Sequence, residues 1–78
     1  MFTIYAIKST KHNFIYVGIT ENLEERIRRH NLGYNRSTKL YAPYYVFYTE
    51  TAENGSTARE REIYLKSTSG KRYLKMYW

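Results

Sequence analysis

The chain has no cysteine, one proline and four glycines among its 78 residues. Its acids are all glutamate, so aspartate is missing as well. The missing cysteine excludes disulfides, Cys-based zinc sites and thiol nucleophiles together. Two histidines and no aspartate leave little to build an all-protein zinc or calcium cage. One divalent ion held by a single glutamate, water and a phosphate stays compatible with this inventory, which is how magnesium is often bound. Long apolar runs are also missing. The N-terminus, MFTIYAIKS, has neither the apolar core nor the small-residue cleavage site of a signal peptide. No stretch approaches the length of a membrane span. These absences point to a soluble, cytoplasmic protein. Without repeats or Gly/Ser-rich linkers, residues 1–78 read as one domain with a small core.

Positive charge and tyrosine are plentiful. Net charge is +6, and there are ten tyrosines. The bases are grouped: Arg26, Arg28, Arg29, Arg36 and Lys39 lie in an acid-free span, and Lys66, Lys71, Arg72 and Lys75 follow the last acid, Glu62. Such grouping favours a polyanion partner, nucleic acid above all, over an ordinary basic surface. Tyrosines among the bases can stack on bases or reach phosphates, though they serve a small core equally well.

Residues 2 to 8 and 14 to 19 read as two strands joined by the polar turn STKHN, close enough for an antiparallel hairpin. Gly18 near the end of the second strand allows close approach of a backbone or a ligand. A helix follows. Asn22 is its N-cap, Glu25 resembles the capping-box partner, and Gly33 stops it. The pairs Glu24 to Arg28 and Glu25 to Arg29 have the favoured i,i+4 order, leaving Arg26 without an acidic partner. Arg26 and His30 lie four residues apart, beside the apolar stripe of Leu23 and Ile27. Residues 33 to 43 form a loop, 44 to 49 a third strand, and 50 to 56 a second loop. Thr57-x-x-Glu60 reads as a capping box opening a helix to about Lys66. Ala58, Glu62, Leu65 and Lys66 share one face of it, so a glutamate lies on the stripe that should turn inward. A last short helix begins near Ser69 and packs Leu74, Tyr77 and Trp78. The order β-β-α-β-α-α makes an α+β fold.

These residues carry a resemblance. Thr3-Ile4-Tyr5 and Tyr16-Val17-Gly18, then Arg26 and His30 in the helix ITENLEERIRRHNLG, then Glu62 in AREREIYLK, resemble the ordered motifs of the GIY-YIG nuclease domain. The likeness is to its small stand-alone members and to the N-terminal nuclease domain of bacterial excinuclease C, and it covers nearly the whole chain. The resemblance implies a three-stranded antiparallel sheet flanked by helices. It also implies hydrolysis of DNA phosphodiester bonds with one Mg²⁺ or Mn²⁺, in a setting such as DNA repair or recombination. By position, it would make Glu62 the metal ligand and Arg26 the phosphate contact. Tyr5, helped by His30, would activate or orient water, and Tyr16 would complete the site. Arg36, Thr38 and Lys39, in the loop after the first helix, are candidates to touch the nucleic-acid backbone. Three departures stand out: Thr3 replaces the first glycine, Ile19 stands where excinuclease-type domains have lysine, and no asparagine follows Glu62. Two other readings remain: a nucleic-acid-binding module without catalysis, and an interaction domain recruited by a larger repair protein. A domain cutting both strands would need two copies or two visits, so a homodimer is among the expected partners.

Overall fold

The computed structural model describes residues 1–78. In chain order the elements are β1 (Phe2–Ser9), β2 (Ile15–Thr20), α1 (Leu23–Asn31), a 3-10 turn (Lys39–Tyr41), β3 (Tyr44–Ala52), α2 (Gly55–Lys66) and α3 (Thr68–Leu74). The strands form one antiparallel sheet in the order β2-β1-β3. β1 is therefore the central strand, and its residues 4 to 7 are fully buried. Such a strand should carry β-branched and aromatic residues on both faces, and Ile4, Tyr5 and Ile7 do.

Side-chain alternation along β1 sorts the core into two parts. Ile4 and Ala6 join Val17, Ala52, Ala58, Leu65 and Leu74 under α2 and α3. Tyr5 and Ile7 join Tyr44, with Phe14, Tyr16, Leu23 and Ile27 packed around them, under α1. Each fully buried aliphatic side chain contributes about 1.5–3 kcal/mol. A bidentate ion pair ties β3 to α2: Arg61 donates to Glu50 through Nε at 2.6 Å and Nη2 at 2.9 Å.

Several sequence expectations change at the helix ends. The α2 capping box at Thr57 is not formed. Asn54 is the cap, its side chain accepting from the Thr57 N–H at 2.8 Å, and the helix begins at Gly55. β3 runs three residues beyond the expected end, because Glu50, Thr51 and Ala52 pair with Ile4, Thr3 and Phe2. In α1, Asn22 caps Glu25 as expected, and Gly33 follows the helix with φ of +82°, a conformation that suits glycine. The expected i,i+4 pairs are replaced by one i,i+3 pair, in which Arg28 grips both oxygens of Glu25 at 3.0 and 2.8 Å. Arg29 is thereby left without an acidic partner.

Candidate active site

Tyr5 projects from the central strand, opposite Gly18 on β2. A Cβ on Gly18 would lie 2.5 Å from the Tyr5 hydroxyl oxygen and 2.7 Å from Cζ. The glycine is needed because the phenol lies across it. His30, in the last turn of α1, reaches the same hydroxyl: Nε2 is 2.7 Å from the Tyr5 oxygen. Arg26, one turn earlier, donates its Nε–H to that oxygen at 3.3 Å. Tyr16 completes the aromatic wall, its ring centroid 6.4 Å from Tyr5 and 5.0 Å from His30. Four of the five predicted site residues thus meet around one buried hydroxyl.

The fifth, Glu62, comes from α2. Its carboxylate is close enough to help raise the pKa of Tyr5. Lys66, 3.1 Å from Glu62 Oε2, sits 6.0 Å from the Tyr16 ring centroid. Arg59 approaches the other carboxylate oxygen at 3.9 Å. Glu62 therefore lies at the margin of the tyrosine cluster. Glu60, the other glutamate of that run, is exposed.

The predicted backbone contacts divide. Arg36 and Lys39 are exposed. Thr38 is not, which corrects its expected place on the surface: it is fully buried, and its hydroxyl lies 2.8 Å from His30 Nδ1. The loop folds back so that the histidine's second nitrogen has a partner, since an unpaired buried N–H would cost ~1–3 kcal/mol.

These contacts set the direction of the hydrogen bonds. The Thr38 hydroxyl donates to the Asn35 carbonyl at 3.4 Å, and so accepts from His30 Nδ1–H. Nε2 then carries the lone pair and accepts from the Tyr5 hydroxyl. Tyr5 in turn accepts from Arg26. Burial is the main cause that pushes Tyr5 up to about 12, against the opposing pull of Arg26. Burial, with Arg26 adding to it, pushes His30 down to about 4. At neutral pH the pair is a phenol donating to a neutral imidazole.

Arg26 and His30 also border an open cleft of about 220 Å³, lined in addition by Arg29, Tyr34 and Asn35. Arg26 turns Nε to Tyr5 and also meets Tyr16, and its remaining guanidinium N–H groups suit an anion. Sequence spacing assigns Arg29 to an ion pair with Glu25 and so misses it as a cleft residue. Its freedom follows from Glu25 choosing Arg28. Tyr34 and Asn35 give no signal in the sequence beyond lying in a polar loop.

The family model for the GIY-YIG catalytic domain matches residues 1–75. The chain belongs to the GIY-YIG family. It is 38% identical over 74 residues to a UPF0213 protein of Staphylococcus haemolyticus, covering 94% of this chain and 89% of that one. A UPF0213 protein of Clostridium perfringens is 35% identical, with 94% and 78% covered. Another, from Staphylococcus saprophyticus, is 34% identical, with 94% and 89% covered. No solved structure matches the chain. The three-stranded antiparallel sheet with its three helices agrees with a GIY-YIG domain, a family made up of endonucleases. No helix is long and apolar enough to cross a membrane.

The family's divalent ion can be weighed against the residues present. No group of three His or Glu side chains gathers to form a cage. Glu62 offers one hard carboxylate near the Tyr5 phenol, which suits an ion that keeps most of its waters and takes substrate oxygens.

Proposed function

We propose that residues 1–78 act as one divalent-metal-dependent endonuclease-like domain that hydrolyses DNA phosphodiester bonds. The reading rests on one arrangement above all: an arginine whose Nε is fixed by Tyr5 and which, with Arg29, lines an open cleft. Arg26 and Arg29 bind the scissile phosphate and meet the charge that grows on its oxygens in the transition state. Glu62 holds Mg²⁺ or Mn²⁺, which when bound supplies Lewis-acid activation of the phosphate. Tyr16 borders both halves and limits water access.

Tyr5 in the free protein holds its proton. With a pKa of about 12, ionising it at pH 7 costs ~7 kcal/mol. It is also fully buried behind Arg26. Tyr5 therefore begins as the anchor of Arg26. It orients the attacking water through its oxygen once Arg26 is drawn toward the phosphate, and its proton already points at His30 Nε2. Arg36 and Lys39 add backbone contacts along the exposed rim. The expected setting is cytoplasmic, on DNA repair or recombination intermediates, either as a homodimer or beside a larger repair protein.

Purified protein incubated with nicked, branched and supercoiled DNA and Mg²⁺ or Mn²⁺ tests this. Cleavage lost in Glu62→Gln and in Arg26→Ala supports it. Equal cleavage by Glu62→Gln sinks it. One observation favours the rival, a binding module without catalysis: Glu62 is already neutralised by Lys66. That reading requires salt-sensitive binding, no cleavage with any divalent ion, and indifference to Glu62→Gln.

A further inference from the structure

A second cleft opens at the hairpin-turn end of the sheet, apart from the site above. It measures about 280 Å³ and is lined by Asn13, Phe14 and Ile15 at the start of β2, by Lys71 and Lys75 at the end of α3, and by Trp78. None of the site residues Tyr5, Tyr16, Arg26, His30 or Glu62 borders it. Its two lysines stand one helical turn apart, so they point the same way. Neither has an acidic partner, because the ion-paired glutamates are Glu25, Glu50 and Glu62. Lysines near a helix C-terminus often only answer its dipole. That account does not explain the aromatic wall beside them.

Trp78 rests against Phe47, with ring centroids 5.8 Å apart, yet keeps 37% of its surface exposed. Lys8 lies 5.6 Å from the Trp78 ring centroid, and its ammonium is held by the carbonyls of Ser9 and His12, both at 3.4 Å. A third cation is therefore fixed beside the indole. Phe14 is stacked on Tyr41 at 4.7 Å, which stiffens the floor.

We propose that this cleft binds single-stranded nucleic acid, with one unpaired base on Trp78 and the flanking phosphates on Lys71 and Lys75. A partly exposed indole lining the same cleft as two unpaired lysines matches the arrangement that holds a strand without reading its sequence. A duplex keeps its bases stacked inside and offers only phosphates. An acidic peptide would satisfy the lysines but leave the indole without a planar partner. The proposal is independent of catalysis at Arg26 and Glu62.

The chain has a single tryptophan, so its fluorescence reports on this cleft alone. A thymidine oligomer of about eight nucleotides, within the usual site size for such clefts, is titrated in EDTA, with excitation at the red edge where tyrosine does not absorb. Saturable quenching is expected. The Lys71→Ala/Lys75→Ala double variant should bind at least ~10-fold more weakly and lower the salt slope by about 1.4, the share of two phosphate contacts on a single strand. Both lysines are exposed, and circular dichroism checks that the variant is folded. Arg26→Ala and Glu62→Gln should quench as the parent does, even if neither the parent nor the variants cleave DNA. Binding seen by anisotropy without quenching overturns the proposal. So does equal quenching by a duplex or by polyglutamate, or a double variant that titrates like the parent.

Discussion

Under α2 and α3 the sheet buries Ile4, Ala6, Val17, Leu65 and Leu74, with no titratable group among them. Under α1, the same central strand buries Tyr5 against His30, which Thr38 backs in turn. Both faces shift proton affinities, but at different places. On the first, burial raises Tyr48 and Arg61 lowers Glu50 at the edge of the apolar cluster. On the second the shifted groups, Tyr5 and His30, sit at its centre. Apolar packing holds by area and tolerates exchange of similar shapes. A buried polar chain holds only while every donor has an acceptor, and here every buried side-chain nitrogen and oxygen has a partner. β1 is thus at once the keel of the fold and one wall of the site. Alternation along four residues keeps the two jobs apart.

The two faces should part most sharply at Arg26. Arg26→Ala should cut DNA-cleavage rate by about 10³-fold, or ~4 kcal/mol of transition-state stabilisation. Its thermal unfolding should stay close to the parent's, since the residue lies at the cleft and not within either apolar cluster. A melting temperature that falls in step with activity would mean that the polar face is structural after all. Leu65→Ala is the mirror test. Leu65 is fully buried among aliphatic neighbours, so denaturant unfolding should show a loss of about 2–5 kcal/mol. Cleavage by the fraction still folded should be unchanged.

What the sequence reveals follows the same division. The hairpin, the α1 cap and the stop at Gly33 are local events, written in residues a few positions apart. Arg26, His30 and Glu62 stand out because arginine, histidine and glutamate on inward stripes conflict with a plain core, whereas Tyr5 and Tyr16 pass for ordinary sheet tyrosines and are marked only by the family motifs. Thr38 and Arg29 are misplaced by spacing alone because their settings depend on partners that spacing does not choose. Glu25 could take Arg28 or Arg29 at nearly equal cost, and only the folded helix shows which. Thr38 reads as a surface threonine until the loop brings it beneath His30. Thr57 reads as the cap of α2, but Asn54 takes that place, adding residues to the helix.

Acid should separate the two faces without any substitution. His30 has a folded pKa of about 4 against an ordinary value of 6.5, so the unfolded chain takes up the proton first. The stability this gives is intact above pH 6.5 and is lost as pH falls toward 4, by about 3 kcal/mol in total. The charged neighbour is Arg26, which opposes the imidazolium; Tyr5 and Thr38 stay neutral throughout this range. Glu50, held below its usual range by Arg61, loses its contribution only at lower pH. Unfolding measured from pH 7 to 4 should therefore show a decline that His30→Gln removes. A parent curve that is flat down to pH 4.5 would refute the neutral, buried histidine.

The finest test is Thr38→Val, which keeps the shape and removes the hydroxyl. His30 Nδ1–H then has no acceptor, and leaving it so would cost ~1–3 kcal/mol. The imidazole has a cheaper answer: it can move its proton to Nε2 and donate to the Tyr5 oxygen, so the net loss should be only about 1 kcal/mol. That shift reverses the direction of the chain. The Tyr5 oxygen would accept from both His30 and Arg26, and its own proton would turn away from the imidazole. Cleavage should fall by about tenfold, while DNA binding holds. Nitrogen-15 NMR of the histidine ring should show Nδ1–H in the parent and in Thr38→Ser, and Nε2–H in Thr38→Val. The same tautomer in all three proteins would mean that Thr38 merely fills space, and that the polar face of the sheet is ordered by Tyr5 and Arg26 alone.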